Sequence, residues 1–316
     1  LTSALRVHAA LITVSLLFGG NYVFTKRLLA PLGPLSPTDW VLFRIAAATA
    51  VIVPLAVWLR RDRTLPNARL CGWLLLASLL GVAANQILFA EGMARTTPEH
   101  SAIVNALIPT WTLLTAVLLG QERLSLRRVG AIAVSLAGVS WLLGIDRVLQ
   151  GLGNDDGSSL LGDLLTMGNG IAFAVHLVLM RKFGKQLDPW VATAFLFVSG
   201  TAMIGVWSGP HVTGAAVDAV LTPPIVWYAL YVILGATVLT YLLNTWALRH
   251  THSSQVALYI NVQPLVAAAL NSAMGAPLPG SRFFVALVLV ATGLWLQSRA
   301  GGPGLPRGGS GTTVRA

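Results

Sequence analysis

Ten stretches of about twenty predominantly apolar residues, each closed by charged residues, Pro or Gly, punctuate the chain from Val7–Lys26 to Ser281–Ser298. A helix rises 1.5 Å per residue, so about twenty residues cross the roughly 30 Å hydrocarbon core of a bilayer. The segments read as Val7–Lys26, Asp39–Leu59, Leu70–Ala90, Ser101–Gly120, Leu126–Ile145, Leu160–Met180, Trp190–Ser208, Ile225–Trp246, Gln255–Met274 and Ser281–Ser298. Only 10 % of residues are charged and mean hydropathy is +0.73, where an average soluble domain is about a quarter charged. That balance excludes a water-soluble fold. The expected class is an all-α integral membrane protein with ten transmembrane helices.

The net charge of +10 would fit nucleic acid if the basic residues formed a patch. They lie instead in short loops between the apolar segments. Assigning loops alternately to two sides places fifteen Lys and Arg with the N-terminus and five on the other side, with Arg44 inside the second segment. By the positive-inside rule both termini are expected in the cytoplasm, which requires an even number of crossings. The single cysteine, Cys71, forms no internal disulfide, and no Cys/His cluster has metal-ligand spacing, so neither a structural metal nor a cofactor is expected. The first segment follows Arg6 and ends at Gly19–Gly20–Asn21 and Lys26–Arg27 without a small-residue cleavage site, so it reads as a retained helix rather than a signal peptide. Residues 300–316 are rich in Gly, Pro, Ser and Thr and read as a disordered tail.

Sliding the chain against itself by 155 residues aligns the third to fifth segments with the eighth to tenth. Thr96 meets Thr251, Ala102 meets Ala257, Pro109 meets Pro264, Gly120 meets Gly275, Arg127 meets Arg282 and Gly138 meets Gly293. The polar loop Gln150–Ser159 then separates a first five-helix repeat, 1–150, from a second, 151–299. With five helices in each repeat, the second must start on the opposite side of the membrane, so the repeats are inverted, an arrangement characteristic of carriers that alternate around a central site.

Several short motifs recur in order. The first helix carries Phe18–Gly19–Gly20–Asn21–Tyr22–Val23–Phe24 and Lys26; the second, Phe43–Arg44. The third ends Ala90–Glu91–Gly92 before Thr96–Thr97 and Ala102, and the fourth has Pro109 and then Gln121–Glu122–Arg123–Leu124, followed by Gly130 and Gly138. Ala172–Phe173–Ala174, Arg181–Lys182, Ala247–Leu248 and Gln263–Pro264 follow in the second half. Together they resemble the drug/metabolite transporter superfamily, and within it the ten-helix carriers with two EamA-type repeats. Phe18 replaces that family's usual Trp, and Pro277 stands where symmetry with Glu122 would place an acid. The resemblance implies a cavity lined by the first four helices of each half, with the fifth and tenth peripheral. Among bacterial members it is most similar to exporters of amino acids, including aromatic ones; other members move drugs and metabolites.

A carrier for a zwitterion needs a few polar groups for the charged ends and an accommodating apolar or aromatic wall. The candidate substrate-binding residues are Asn85, Gln86, Phe89, Asn105, Trp111, Tyr241, Asn244, Trp246, Tyr259, Asn261 and Gln263. Asn and Gln both donate and accept; the competing reading for each is an interhelical hydrogen bond. Pro109 and Pro264, with Gly19 and Gly20, are candidate hinges or gates, since an internal Pro frees a carbonyl and bends a helix. Ionisable residues at membrane depth are functional candidates by default. His176 is the candidate for proton coupling or else a packing histidine. Glu91 is an entrance charge or the partner of Arg95 at i+4. Arg44 is expected to snorkel toward the near membrane surface in a structural or entrance role, and Asp163 to cap its helix.

No phosphate-binding Gly-rich loop, His-Glu-x-x-His pair or Gly-x-Ser-x-Gly elbow occurs, so ATP hydrolysis by that loop and the matching enzyme chemistries have no support. The ninth segment lacks Lys and Arg, which disfavours phosphorylated substrates. The expectation is a multi-pass secondary carrier of the bacterial inner membrane. Its partners are a small amino acid-like substrate and the lipid bilayer, with no nucleic acid and no obligate protein partner. An exporter of amphipathic drugs or other metabolites is the alternative, and a membrane-embedded enzyme or a channel the distant one.

Overall fold

A computed structural model describes residues 3–29, 32–59, 66–120, 125–144, 159–183, 186–209, 214–248, 259–260 and 262–300. The described residues are almost entirely helical. Helix α1 is Ser3–Leu28, α2 Pro37–Leu59, α3 Ala68–Arg95, α4 Pro98–Leu118, α5 Leu126–Leu142, α6 Leu160–Phe183 and α7 Pro189–Ser208. A short helix, Gly214–Leu221, precedes α8, which runs as Ile225–Leu230, Tyr231–Leu239 and Thr240–Leu248. Then come α9, Gln263–Ala273, and α10, Ser281–Ala300.

Local chemistry sets where helices start. The Asn67, Thr97, Ser125 and Asp188 side chains each accept an amide of the first turn, satisfying donors that have no partner inside the helix. Ser36 does the same for α2, taking the Asp39 amide at 3.1 Å while its hydroxyl donates to the Asp39 carboxylate at 2.6 Å.

Seven helices among the described residues are long and apolar enough to cross a bilayer: α1 to α4, α6, α7 and Ile225–Leu243 of α8. The other three expected crossings appear as shorter apolar helices. α5 has 17 residues, the described part of α9 has 11, and α10 is apolar over Ser281–Gln297. The ninth segment differs most from expectation: part of it lies outside the described residues, and its helix begins at Gln263 immediately before Pro264.

The packing repeats when the halves are exchanged. α1 lies against α8 and α9 as α6 lies against α3 and α4, while α2 pairs with α7 and α5 with α10. α5 and α10 pack chiefly on each other, at the periphery of the other eight. Their crossing explains the paired glycines. A Cβ on Gly293 would stand 2.1 Å from Ser135 Oγ and 2.7 Å from the Ala131 carbonyl, and one on Gly138 would stand 2.8 Å from Leu289 Cβ. Arg282 closes one end of this pair, donating to the Trp141 carbonyl at 3.1 Å with its guanidinium over the indole ring. Gly293→Val is expected to force α5 and α10 apart and destabilise by about 1–3 kcal/mol, read as a lower Tm in detergent; an unchanged Tm would show that the contact is yielding.

Three helices are irregular, α3 and α8 at matching places. α3 passes through a π-helical stretch at Leu79–Ala84, and α8 through one at Tyr231–Leu239; adding 155 to the first range lands inside the second. α4 breaks into Pro98–Asn105 and Ile108–Leu118, so that Pro109 sits in the first turn of its second piece. Pro264 occupies the same place in α9. The prolines therefore open new helical pieces, where no amide is needed, rather than kinking the middle of continuous helices. The irregular backbone of α3, α4 and α8 packs against α1 and α6, which agrees with the rule that non-helical backbone at membrane depth is buried in protein or lines a cavity.

Candidate functional site

At the level of these breaks, α3 and α6 are tied by two asparagines. Asn85 Nδ2 donates to the Asn169 carbonyl at 3.3 Å, and Asn169 Nδ2 donates to the Asn85 carbonyl at 3.0 Å. Asn85 is the first residue after the π stretch, so the shifted register aims it at α6. Gln86 Nε2 donates to Asn85 Oδ1 at 3.1 Å, leaving Gln86 Oε1 buried without a partner. From α1, the Tyr22 hydroxyl donates to Gln263 Oε1 at 3.3 Å and also engages the Asn105 side chain. The Tyr22 ring meets Phe89 edge-on at 5.7 Å.

Two more polar atoms in this layer have no partner: Asn105 Oδ1 and Trp111 Nε1. Both residues face Gly170, where a Cβ would lie 3.3 Å from Asn105 Oδ1 and 3.8 Å from Trp111 Cδ1. The bare surface of Gly170 keeps that space open. Two acceptors and one donor are thus buried around Asn169–Gly170, where native proteins almost always satisfy such atoms with protein, water or a ligand. Asn85, Gln86, Phe89, Asn105, Trp111 and Gln263 therefore converge. Tyr22 and Asn169 join them, and the sequence reading had not singled either out for this role. The available signal for Asn169 was an amide between two glycines, Gly168 and Gly170, in an otherwise apolar stretch.

Other candidates lie elsewhere. Trp246 and Tyr259 pack with Val7, Leu11 and Ala247 at the end of the bundle where α1 begins. There the Tyr259 hydroxyl meets His8 Nδ1 at 2.5 Å, and the Tyr259 carbonyl accepts from Ser15 at 2.7 Å. Tyr241 packs edge-on against Phe197 at 5.0 Å. The Asn244 side chain and all of Asn261 lie outside the described residues. Gly19 and Gly20 are close-contact positions: a Cβ would stand 2.5 Å from Val266 on α9 or 2.3 Å from the Tyr231 hydroxyl on α8.

The charged candidates separate clearly. Arg44 does not snorkel. It is 4 % exposed, and its Nε donates to Thr237 Oγ1 on α8 at 3.0 Å, because its long side chain turns across the helix interface rather than along α2. Glu91 is bonded by Arg95. His176 donates from Nδ1 to the Ala77 carbonyl at 2.8 Å and stacks on Phe173, the geometry of a packing histidine.

Asp163 does more than cap α6. It is fully buried and receives the Thr96 hydroxyl and, at 3.1 Å, His100 Nδ1. Beside it, Asn271 of α9 donates to the buried Glu99 carboxylate at 2.8 Å. This cluster closes the end of the bundle opposite the start of α1. Lys26 reinforces it by binding the Met93 and Ala94 carbonyls, and Arg27 by binding that of Met274. A separate, predominantly apolar concavity of about 310 Å³ opens between α2 and α7, lined by Val53, Val57, Phe195 and Val198 among others, with Ser199 at its wall. It shares no residue with the polar layer.

Comparison with known proteins matches the EamA-like transporter family twice, over residues 5–144 and 160–299. The chain belongs to the EamA-like transporter family. Among similar proteins, an uncharacterised transporter of Bacillus subtilis, YyaM, is 24 % identical across 92 % of this chain and 94 % of its own length. An uncharacterised transporter of Archaeoglobus fulgidus is 25 % identical, covering 83 % and 87 %. A WAT1-related protein of Arabidopsis thaliana is 26 % identical, covering 92 % and 81 %. A solved crystal structure, 16 % identical, superposes over 93 % of this chain and 96 % of its own with a TM-score of 0.60, so the fold is shared. Membership in the EamA-like family makes this chain a multi-pass membrane transporter rather than an enzyme, with a small molecule as its substrate.

Proposed function

We propose that this EamA-like protein is a secondary carrier that exports small zwitterionic metabolites, foremost amino acids including apolar and aromatic ones, by alternating access across a bacterial inner membrane, with both termini in the cytoplasm. The observation that carries the reading is the buried polar layer between the halves. Asn105 Oδ1, Gln86 Oε1 and Trp111 Nε1 stand there without partners, beside the Tyr22–Phe89 aromatic pair. Neutral acceptors hold an ammonium group without trapping it, and an aromatic face adds cation–π attraction. Side chains of different size can be tolerated against an apolar and aromatic wall.

Alternating access is supported by the matching π stretches of α3 and α8 and by the matching prolines that open helical pieces in α4 and α9, which give each half its own candidate flexible elements. The cluster around Asp163, Glu99 and Asn271 joins helices of the two halves at one end and serves as the gate on that side.

The reading is tested by counterflow. Purified protein in liposomes preloaded with mixed unlabelled amino acids is challenged with labelled Phe, Met, Thr or Lys outside. Transient accumulation that disappears when internal substrate is omitted is the expected result, with Phe and Met ahead of Lys. No accumulation of any of the four, by folded protein, would shift the assignment to amphipathic drugs or other metabolites, and flux far above carrier rates would indicate a channel.

A further inference from the structure

Among the described residues, Arg44 is a buried cation that meets no carboxylate. Its residue is 4 % exposed, and the hydrogen bond it makes there runs from Nε to Thr237 Oγ1 at 3.0 Å. The Glu91 and Asp163 carboxylates are taken by Arg95 and His100, and the cation–π contacts recorded among the described residues belong to Lys182, Arg282 and Arg299. The acid on the same helix, Asp39, is turned to Ser36 at the helix start. Nη1 and Nη2 therefore reach no carboxylate, carbonyl or ring face among the described residues.

An arginine stays protonated even when buried, and a charge withdrawn from water is strongly unfavourable unless it is paired. Such a residue at membrane depth marks a place where an anion arrives. The surroundings fix the direction of the group. Thr237 accepts from Nε while donating its own hydroxyl proton to the Val232 carbonyl at 2.8 Å, within the π stretch of α8. That holds one edge of the guanidinium and leaves the outer Nη fork free. Tyr241, one turn further along α8, lies near the same guanidinium and is braced by Phe197 of α7. A planar fork with two parallel N–H donors matches a carboxylate bidentately.

We infer that the Arg44 guanidinium, oriented by Thr237 and flanked by Tyr241 in the seam between α2 and α8, binds the carboxylate of the transported substrate. This rests on the carrier reading and assigns the carboxylate end to a residue that position in its helix had left with a structural or entrance role. It also explains why the π stretch of α8 matters. That stretch carries Thr237, so a change in its register moves the carboxylate anchor.

The test measures binding to the full-length protein in detergent, using L-phenylalanine, L-phenylalaninamide and phenylacetate as probes. The amide keeps the ring and ammonium and lacks the carboxylate; phenylacetate keeps the ring and carboxylate and lacks the ammonium. Wild type is expected to bind phenylalanine at least tenfold tighter than the amide. Arg44→Gln is expected to weaken phenylalanine binding by about 100-fold or more while leaving the amide nearly unaffected, since truncating one partner of a buried charge pair has effects of that order. Arg44→Lys, which retains the charge without the fork, should recover only part of the preference. Thr237→Val, which frees the guanidinium edge, should reduce it without abolishing it, and provides a reading should Arg44→Gln not fold.

Tight phenylacetate binding that depends on Arg44, with phenylalanine ignored, would keep the anchor and overturn the zwitterion reading. Equal preference for acid over amide in wild type and Arg44→Gln would overturn the anchor. So would a wild type that binds neither carboxylate.

Discussion

Asp163→Ala is expected to lower the Tm of the purified protein by roughly 5–8 °C. Asp163 is wholly buried at the start of α6 and holds Thr96, from the link between α3 and α4, and His100, from the first turn of α4. Its removal leaves two buried donors unsatisfied and detaches the first half of the chain from the second at that end of the bundle. Breaking a buried pair by deleting one member costs about 3–5 kcal/mol, because the remaining group keeps its desolvation penalty. At about 2.1 cal/mol/K of unfolding entropy per residue, each kcal/mol corresponds to about 1.5 °C for a chain of this size. Asp163→Asn preserves the shape and one acceptor, so it should recover part of the loss. The check is thermal unfolding in detergent, followed by tryptophan fluorescence. A wild-type Tm for the alanine variant would mean that Thr96 and His100 find other partners. If the cluster also serves as a gate, the alanine variant should lose coupled counterflow and gain leak, a readout that stability alone does not move.

The parts of this fold visible in the sequence are those governed by local rules. α1, α2, α6 and α7 follow from uninterrupted apolar runs closed by charges, because hydrocarbon thickness and helix rise determine their length. The paired glycines of α5 and α10 were visible as a repeat. What the sequence did not convey was that Gly293 and Gly138 recur because each lets a partner backbone approach within contact distance.

The π stretches were invisible. Shifting a hydrogen-bond register by one residue requires no distinctive residue, and Leu79–Ala84 reads as ordinary apolar helix. The polar site was half legible for the same reason. Asn85 and Asn105 stand out as amides in apolar runs, but their grouping depends on the register change before Asn85 and on the break before Pro109. Tyr259 and Trp246 were placed with them on residue type alone, and the structure puts them at the end of the bundle where α1 begins. Arg44 and Asp163 were read from their distance to a helix end. Both are decided by partners far away in sequence, Thr237 for the one and Thr96 with His100 for the other, and spacing along one helix carries no information about those.

Gly81→Ala is the second large expected effect, and it tests whether the π stretch of α3 is functional or incidental. A Cβ at residue 81 would stand 2.1 Å from His176 Nδ1 and 2.2 Å from its Cγ. The imidazole is joined to the α6 backbone through Cβ alone, so it cannot swing clear as the tip of a long chain would. Either the ring leaves, abandoning the Ala77 carbonyl it binds at 2.8 Å, or α3 and α6 separate. Overpacking of this kind costs about 1–3 kcal/mol and an orphaned buried carbonyl a similar amount, so a loss of roughly 3 kcal/mol is expected.

The functional effect of Gly81→Ala should exceed the stability effect. If the helix relieves the clash by reverting to an α-helical register, everything after Ala84 rotates by about 100° relative to what precedes it. Asn85 then turns away from Asn169, and Gln86 leaves the polar layer. Counterflow is expected to fall at least about tenfold. His176→Ala added to Gly81→Ala removes the obstacle, so the double variant should be more stable than Gly81→Ala alone, with a coupling of about 1 kcal/mol or more between the two sites. Additive losses would place the strain elsewhere in α3. Recovered stability without recovered counterflow would show that the His176–Ala77 bond itself, and not merely the space around it, keeps Asn85 and Gln86 facing the substrate.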